Sequence, residues 1–135
     1  MPGAFLGLLA FPAIKAVGYT AFTIYLNSVF PNKRRNIFVV GILRMSLGLV
    51  LGTGLALLSF PFMLAFDWGF VVYLIGLIPV RMLEWWIVLK VFYDGDPPLN
   101  WTDVRMPIFI GVVTSFLLDI PALTGLVYAA DFWIC

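Results

Sequence analysis

The chain has 135 residues, of which 63% are hydrophobic and 11% charged, less than half of the roughly 25% charged residues of soluble domains, so it requires lipid as its solvent. Its formal net charge of +1 gives no electrostatic support for a nucleic-acid partner. Because the chain contains no histidine, the commonest metal ligand and the commonest general base near neutral pH are both missing, and we expect no cofactor, neither haem nor catalytic zinc.

Four apolar segments, separated by turn or charge signals, predict four transmembrane helices. A helix needs about 20 apolar residues to span a bilayer, whereas a barrel strand needs about 10 residues with strict alternation, a pattern that these segments lack. The expected fold class is therefore an all-α membrane protein, a four-helix transmembrane bundle with short loops. We predict a single domain, 1–135, with helices over 4–26, 37–66, 70–92 and 106–130 and a loop over 93–105.

The first apolar segment contains Lys15 and is not preceded by a basic region. A secretory signal peptide carries its basic residues before its apolar stretch. We therefore expect this segment to remain as the first helix of an integral, multi-pass protein, and we expect that protein in a bacterial cell membrane.

The distribution of basic residues predicts the orientation of the helices. Lys33, Arg34 and Arg35 follow the first segment, and a lysine and an arginine flank the long loop, whereas the turn at 67–69 has no basic residue. Loops rich in lysine and arginine lie on the cytoplasmic side of a membrane. The first and third loops are therefore predicted to be cytoplasmic and both termini extracytoplasmic.

Five ionisable residues lie within the apolar segments, and they are the strongest functional signal in the sequence. Each costs a few kcal/mol or more near the bilayer centre unless it is paired or hydrated. We therefore expect all five to face one another or water, and they form the hypothetical ligand or ion pocket. They are Lys15, Arg44, Arg81, Glu84 and Asp119.

The depth of these residues predicts how they pair. At about 1.5 Å of rise per residue, Lys15, Arg81 and Asp119 lie near the midplane, and Arg44 and Glu84 share a depth nearer the cytoplasm. We predict contacts of Asp119 with Lys15 and Arg81, and of Arg44 with Glu84. Because Arg81 and Glu84 are three apart on one helix face, they can join the two sets.

Small residues repeat every four positions beside two of these charges. Gly48, Gly52 and Ala56 continue the spacing that starts at the arginine of the second segment, and Gly111 and Ser115 lead to the aspartate of the fourth. Such stripes let helices approach closely in a membrane. We predict that both pack inside the bundle, with a dimer seam as the alternative.

Two interpretations of the charge cluster remain open. Pro12, Pro79 and Pro121 each lie within three residues of a charge, and irregular helix backbone beside midplane charge is typical of transporter binding sites. The alternative is a closed structural network that fixes helix register, since two acids nearly balance three bases. The one extra positive charge favours an anionic ligand or partner, such as a lipid phosphate, or an uncharged Lys15.

Three further motifs each have a functional and a structural interpretation. Asp94 and Asp96 are weak candidates for a metal–phosphate pair, but Asp-Gly-Asp-Pro is ordinary turn sequence and the turn is favoured. The Trp85-Trp86 pair can stack a ligand, but tryptophan near a membrane interface is common without one, and anchoring and packing are favoured. The basic cluster 33–35 can bind anionic lipid head groups, but such clusters more often only set topology.

The sequence resembles no family that we recognise, so function is inferred from the charges. We expect a small transporter-like protein with a buried polar pocket near the bilayer midplane and without enzymatic activity. One alternative is a non-catalytic accessory or assembly subunit of a larger membrane complex. Another is a lipid-modifying enzyme that uses Asp94, Asp96 and Glu84. The expected partners are membrane lipids, together with a second copy of the chain or a larger complex.

Overall fold

A computed structural model describes the backbone of residues 2–134 and the side chains of residues 9–62, 64–69 and 71–121. The described chain is helical throughout, apart from three connections, and contains no strand. The predicted all-α, four-helix fold is therefore confirmed. The helices are α1 (Pro2–Val29), α2 (Ile37–Ala65), α3 (Gly69–Tyr93) and α4 (Trp101–Ile134), and a short 3-10 helix (Pro31–Lys33) lies in the first connection.

All four helices are long and apolar enough to cross a bilayer. The apolar stretches within them are Leu9–Val29, Ile37–Phe62, Val71–Tyr93 and Trp101–Pro121. Large apolar side chains cover the outside of the bundle, as at the highly exposed Leu57 and Leu58. An exposed surface of this kind suits lipid and not water, so the chain is a multi-pass membrane protein. The side of the membrane on which each terminus lies stays a prediction.

The starts of α2 and α4 follow from capping interactions. The Asn36 side chain accepts hydrogen bonds from the backbone N–H groups of Phe38 and Val39 and so begins α2. At α4, the Asp103 carboxylate accepts from the backbone N–H of Asn100 at 3.2 Å, one half of a capping box.

The fourth helix therefore begins at Trp101, five residues earlier than the predicted 106, and the third loop shortens from 93–105 to residues 94–100. The predicted start at 106 lies inside the helix, because the helix already begins at Trp101. The contact between Asp103 and Asn100 starts the helix earlier, and Pro107 lies inside it.

The helices pack in a ring in chain order. α1 contacts α2 and α4, and α3 contacts the same two helices, so α2 and α4 lie diagonally across the described bundle. Small residues allow three close approaches: Gly18 lies against Leu118, Gly41 against Thr20 and Gly111 against Trp85. Each joins a different pair of neighbouring helices.

Hydrogen bonds hold the first and third loops together at one end of the bundle, which we call the basic end. Lys33 Nζ donates to the carbonyl oxygen of Pro97 at 2.9 Å, and Arg35 Nε donates to that of Phe92. Asn27 Oδ1 accepts from the backbone N–H of Arg35 and from the hydroxyl of Tyr93. Two members of the basic cluster thus have a structural role, while lipid binding by the cluster stays a prediction.

Three layers follow one another along the bundle from the basic end. The first is an apolar core, the second is the set of buried charges, and the third is a cavity on the side of the 66–68 turn. The buried side chains of the core are Tyr19, Phe22, Leu26, Val40, Trp85, Val88, Leu89, Tyr93, Val104 and Ile108.

Candidate functional site

The five intramembrane charges form one connected ion-pair network. Asp119 binds Lys15 Nζ at 2.5 Å through Oδ1 and Arg81 Nη2 at 3.2 Å through Oδ2. Glu84 Oε2 binds Arg44 Nη2 at 2.6 Å and Arg81 Nη1 at 3.2 Å. The predicted contacts are thus present, including the i,i+3 link, and every helix contributes at least one charge.

The network is turned away from the lipid-facing surface. Arg44 and Glu84 are 0% exposed, Arg81 is 5% and Lys15 is 9% exposed, and the Asp119 side chain is 16% exposed. Charges in a membrane protein face the bundle interior because hydrocarbon solvates them poorly. The gradient of exposure shows that the Lys15–Asp119 end of the network is the more accessible end.

Aromatic rings and a serine complete the surroundings of Arg44. Its guanidinium carbon lies 4.7 Å from the ring centroids of both Tyr19 and Trp85, within cation–π range. Its Nη2 also donates to Ser115 Oγ at 3.2 Å. Ser115 Oγ in turn accepts from Trp85 Nε1 at 3.1 Å and donates to the Gly111 carbonyl at 2.8 Å. The hydroxyl of Ser115 thus connects α2, α3 and α4.

The stripes of small residues on α2 and α4 differ in what their glycines contact. A Cβ added at Gly111 would lie 2.7 Å from the Trp85 ring, so that glycine makes room for the indole. A Cβ at Gly48 would lie 2.8 Å from Arg44 Nη1, so that glycine makes room for the network. At Gly52 an added Cβ meets nothing within 4 Å of the described structure, so no other helix of the described bundle approaches closely there, and a dimer seam stays a prediction. Gly52 and Ala56 line a cavity instead.

This cavity has a volume of about 470 Å³ and lies between α1, α2 and α3. Lys15 and Arg81 form its charged wall, and no carboxylate is among the described residues that line it. Other polar groups come from Tyr19, Thr53 and Tyr73. The rest of the wall is largely apolar, with Phe11, Met45, Leu49 and Leu77 among its members.

Some buried polar atoms of the network have no hydrogen-bond partner among the described residues. They include the hydroxyl of Tyr19 and Nε of Arg81, two residues that line the cavity. Buried polar atoms in proteins are hydrogen-bonded in the great majority of cases. Two donors on residues that line the cavity therefore have hydrogen-bonding capacity that the described residues do not use.

The Asp94 turn is a structural element. Asp94 Oδ1 accepts from the backbone N–H of Leu99 at 2.8 Å, and Oδ2 accepts from Lys90 Nζ at 3.0 Å. The Leu99 N–H first, and then Lys90, lower the pKa of Asp94 below its ordinary value of 3.8. Among the described residues no cluster of three His, Cys, Asp or Glu side chains exists, and the metal interpretation of Asp94 and Asp96 stays a prediction.

The adjacent tryptophans of α3 have different surroundings. Trp85 is 1% exposed and packs edge-on against Tyr19 and Phe22, with centroid distances of 5.8 and 4.6 Å. Trp86 is 41% exposed on the outside of the bundle. Trp85 therefore belongs to the core, where the Arg44 guanidinium stacks on it, and its surroundings favour the packing interpretation over ligand stacking.

Sequence reasoning missed Tyr19 and the hydroxyl function of Ser115. A signal for Tyr19 exists, because it lies four residues after Lys15 and so shares its helix face. Ser115 was interpreted only as a small packing residue. Its depth beside Asp119 did not indicate that it would bind Arg44 and Trp85 together, because that depends on the rotation of three helices.

No protein-family model matches the sequence, and searches against curated proteins and against solved structures give no match. The function is therefore inferred from the geometry of the cavity and of the ion-pair network.

Proposed function

We propose that this protein is a small transporter-like membrane protein that receives a solute in the cavity beside the ion-pair network. The observation that carries the proposal is the shared position of Lys15 and Arg81, which line the cavity and also belong to the network. A solute in the cavity therefore contacts the same charges that tie the helices together.

Competition for these charges would couple solute binding to helix packing. Lys15 binds Asp119 across the α1–α4 interface, and Arg81 binds the same carboxylate from α3. A solute group that replaced Asp119 as the partner of Lys15 would weaken the tie between α1 and α4. Because a ligand shifts a conformational equilibrium only through such differential contacts, this exchange is the step on which transport would depend.

The layered structure of the bundle supports the proposal, because one half is closed by packed side chains and the other half contains the cavity. The apolar core fills the basic end with large side chains, whereas the cavity occupies the opposite half and includes two glycines, Gly48 and Gly52, in its wall. Many transporters place their substrate sites near the bilayer midplane. The ion-pair network lies at the boundary between these two layers.

Water access to the cavity tests the proposal. Two single-cysteine variants are compared in a Cys135→Ser background. Gly52→Cys lies in the cavity wall, where the glycine leaves space for a side chain. Val50→Cys replaces a residue that is 67% exposed and does not line the cavity. The protein is reconstituted in liposomes and treated with a charged methanethiosulfonate reagent. We expect rapid labelling at Gly52→Cys and slow labelling at Val50→Cys, whereas equally slow labelling at both positions would contradict the proposal.

An accessory subunit is the second candidate, and one observation favours it. A Cβ added at Gly54 meets nothing within 4 Å of the described structure, so a partner helix could approach α2 closely there. Gly54→Leu should then release a co-purifying membrane protein, while Leu57→Ala on the same helix should retain it. For the lipid-modifying enzyme no contact among the described residues offers support.

A further inference from the structure

We infer that the cavity binds an amphipathic anion, with its carboxylate or phosphate monoanion held by Lys15, Tyr19 and Arg81 and its hydrocarbon part on the apolar wall. This inference rests on the proposed function, because it names the class of solute that the cavity receives. Three features of the site support it: the charge of the network, the unpartnered donors and the apolar lining of the cavity.

The charge of the network calls for an anion on the cavity side. Among the described residues Lys15, Arg44 and Arg81 pair with two carboxylates, so this network carries one surplus positive charge. Glu84 is completely buried, and neither acid lines the cavity. Within the described part of the chain, the cavity wall therefore presents two cations, Lys15 and Arg81, and no carboxylate. A monoanion would neutralise the surplus charge, whereas a cationic solute would add a further charge to a poorly solvating region.

Unused donors provide the hydrogen bonds that an acidic head group accepts. The Tyr19 residue is 1% exposed, its hydroxyl has no partner among the described residues, and it lies one helical turn from Lys15 along the cavity wall. Nε of Arg81 is likewise unpartnered. Hydrogen bonds to ionised groups are roughly twice as strong as neutral ones, so an anion is the partner that these donors favour.

The apolar wall excludes a small inorganic anion as the best fit. Phe11, Met45, Leu49 and Leu77 surround the rest of the cavity. A volume of about 470 Å³ is within the usual size range of cavities for organic ligands. An inorganic phosphate would satisfy the donors and leave this apolar wall without contact. An alkyl carboxylate or alkyl phosphate would use both surfaces at once.

Matched ten-carbon probes test the inference. The full-length protein in a neutral detergent is titrated with decanoate, decyl phosphate, decanol, decyltrimethylammonium and inorganic phosphate, and binding is followed by thermal unfolding and native mass spectrometry. We expect decanoate and decyl phosphate to bind at least about tenfold more tightly than the neutral and cationic probes. Equal affinity for all four alkyl probes, or tighter binding of inorganic phosphate, would overturn the inference.

The Tyr19→Phe variant tests the head-group donors without endangering the fold. It removes a hydroxyl that lacks a partner and keeps the ring that stacks on Arg44, so the ligand-free protein should be as stable as the parent or more stable. Decanoate affinity should fall about tenfold, the effect of losing one hydrogen bond to a charged group. Tyr25→Phe, on the same helix but outside the cavity lining, is the control and should leave the affinity unchanged. Equal affinity in the parent and in Tyr19→Phe would remove Tyr19 from the site and overturn the assignment.

Two further measurements are informative. The first distinguishes a membrane lipid from a free acid as the source of the anion, and the second distinguishes a failure of the ligand class from a failure of the proposed function. An anionic phospholipid that remains bound through purification and is lost in Tyr19→Phe identifies a membrane lipid as the source, whereas binding of added decanoate to lipid-free protein identifies a free acid. Decanoate should also protect Gly52→Cys from the thiol reagent. Labelling at Gly52→Cys that decanoate does not slow would refute the ligand class and leave the water-accessible cavity standing.

Discussion

The two carboxylates of the network differ in their burial and in the ion pairs that they form. Glu84 is fully buried and accepts from Arg44 and Arg81 through a single oxygen. Asp119 is partly exposed and accepts from Lys15 and Arg81 through separate oxygens. Since Arg44 has no other acid partner among the described residues, Glu84 is the residue on which the deeper half of the network depends.

Glu84→Gln should therefore destabilise the protein more than Asp119→Asn. Removing one partner of a buried pair typically costs about 3–5 kcal/mol, because the other charge is left uncompensated. Asp119→Asn should cost less, since Lys15 lines the cavity and can be hydrated and Arg81 keeps Glu84. Reversible unfolding in mixed micelles, measured for both variants, checks the order. Equal stability of the two variants would show that Glu84 has no special role.

At the scale of elements, close helix packing is concentrated at a few glycines. Gly111 lets α4 approach the Trp85 indole of α3, and Gly18 lets α1 approach Leu118 of α4. Gly52 belongs to a stripe with the same spacing but faces open space. Sequence spacing identifies surfaces on which helices can approach, and the tilt and rotation of each helix decide which of those surfaces are used.

Gly111→Ala and Gly52→Ala are matched substitutions that separate these cases. At Gly111 the new methyl group would lie 2.7 Å from the indole, and overpacking of this kind typically costs about 1–3 kcal/mol. At Gly52 the methyl group meets nothing, so the alanine should be neutral or stabilise α2 by up to about 1 kcal/mol through helix propensity. The midpoints of detergent unfolding give both values, and a destabilised Gly52→Ala variant would place that glycine in a packed interface.

At the scale of the whole molecule, the network joins four helices at the level where the apolar core ends and the cavity begins. The sequence predicted the four helices and the ion pairs, because apolar length and depth along a helix are both readable from residue positions. The cavity could not be predicted, because it depends on the separation of α1, α2 and α3. The start of α4 at Trp101 was not predicted, because it depends on the contact between the Asp103 carboxylate and the backbone N–H of Asn100.

The central claim is that the intramembrane charges meet inside the bundle, and a double-mutant cycle on Arg44 and Glu84 tests it most directly. Their side chains lie 2.6 Å apart and completely buried. We expect Arg44→Leu and Glu84→Leu each to be strongly destabilising and the double variant to lose clearly less stability than the sum of the two single losses, with a coupling energy of about 2–3 kcal/mol. The partly exposed pair of Lys90 and Asp94 is the control, with an expected coupling of about 0.3–0.5 kcal/mol. Additive effects at Arg44 and Glu84 would contradict a buried network.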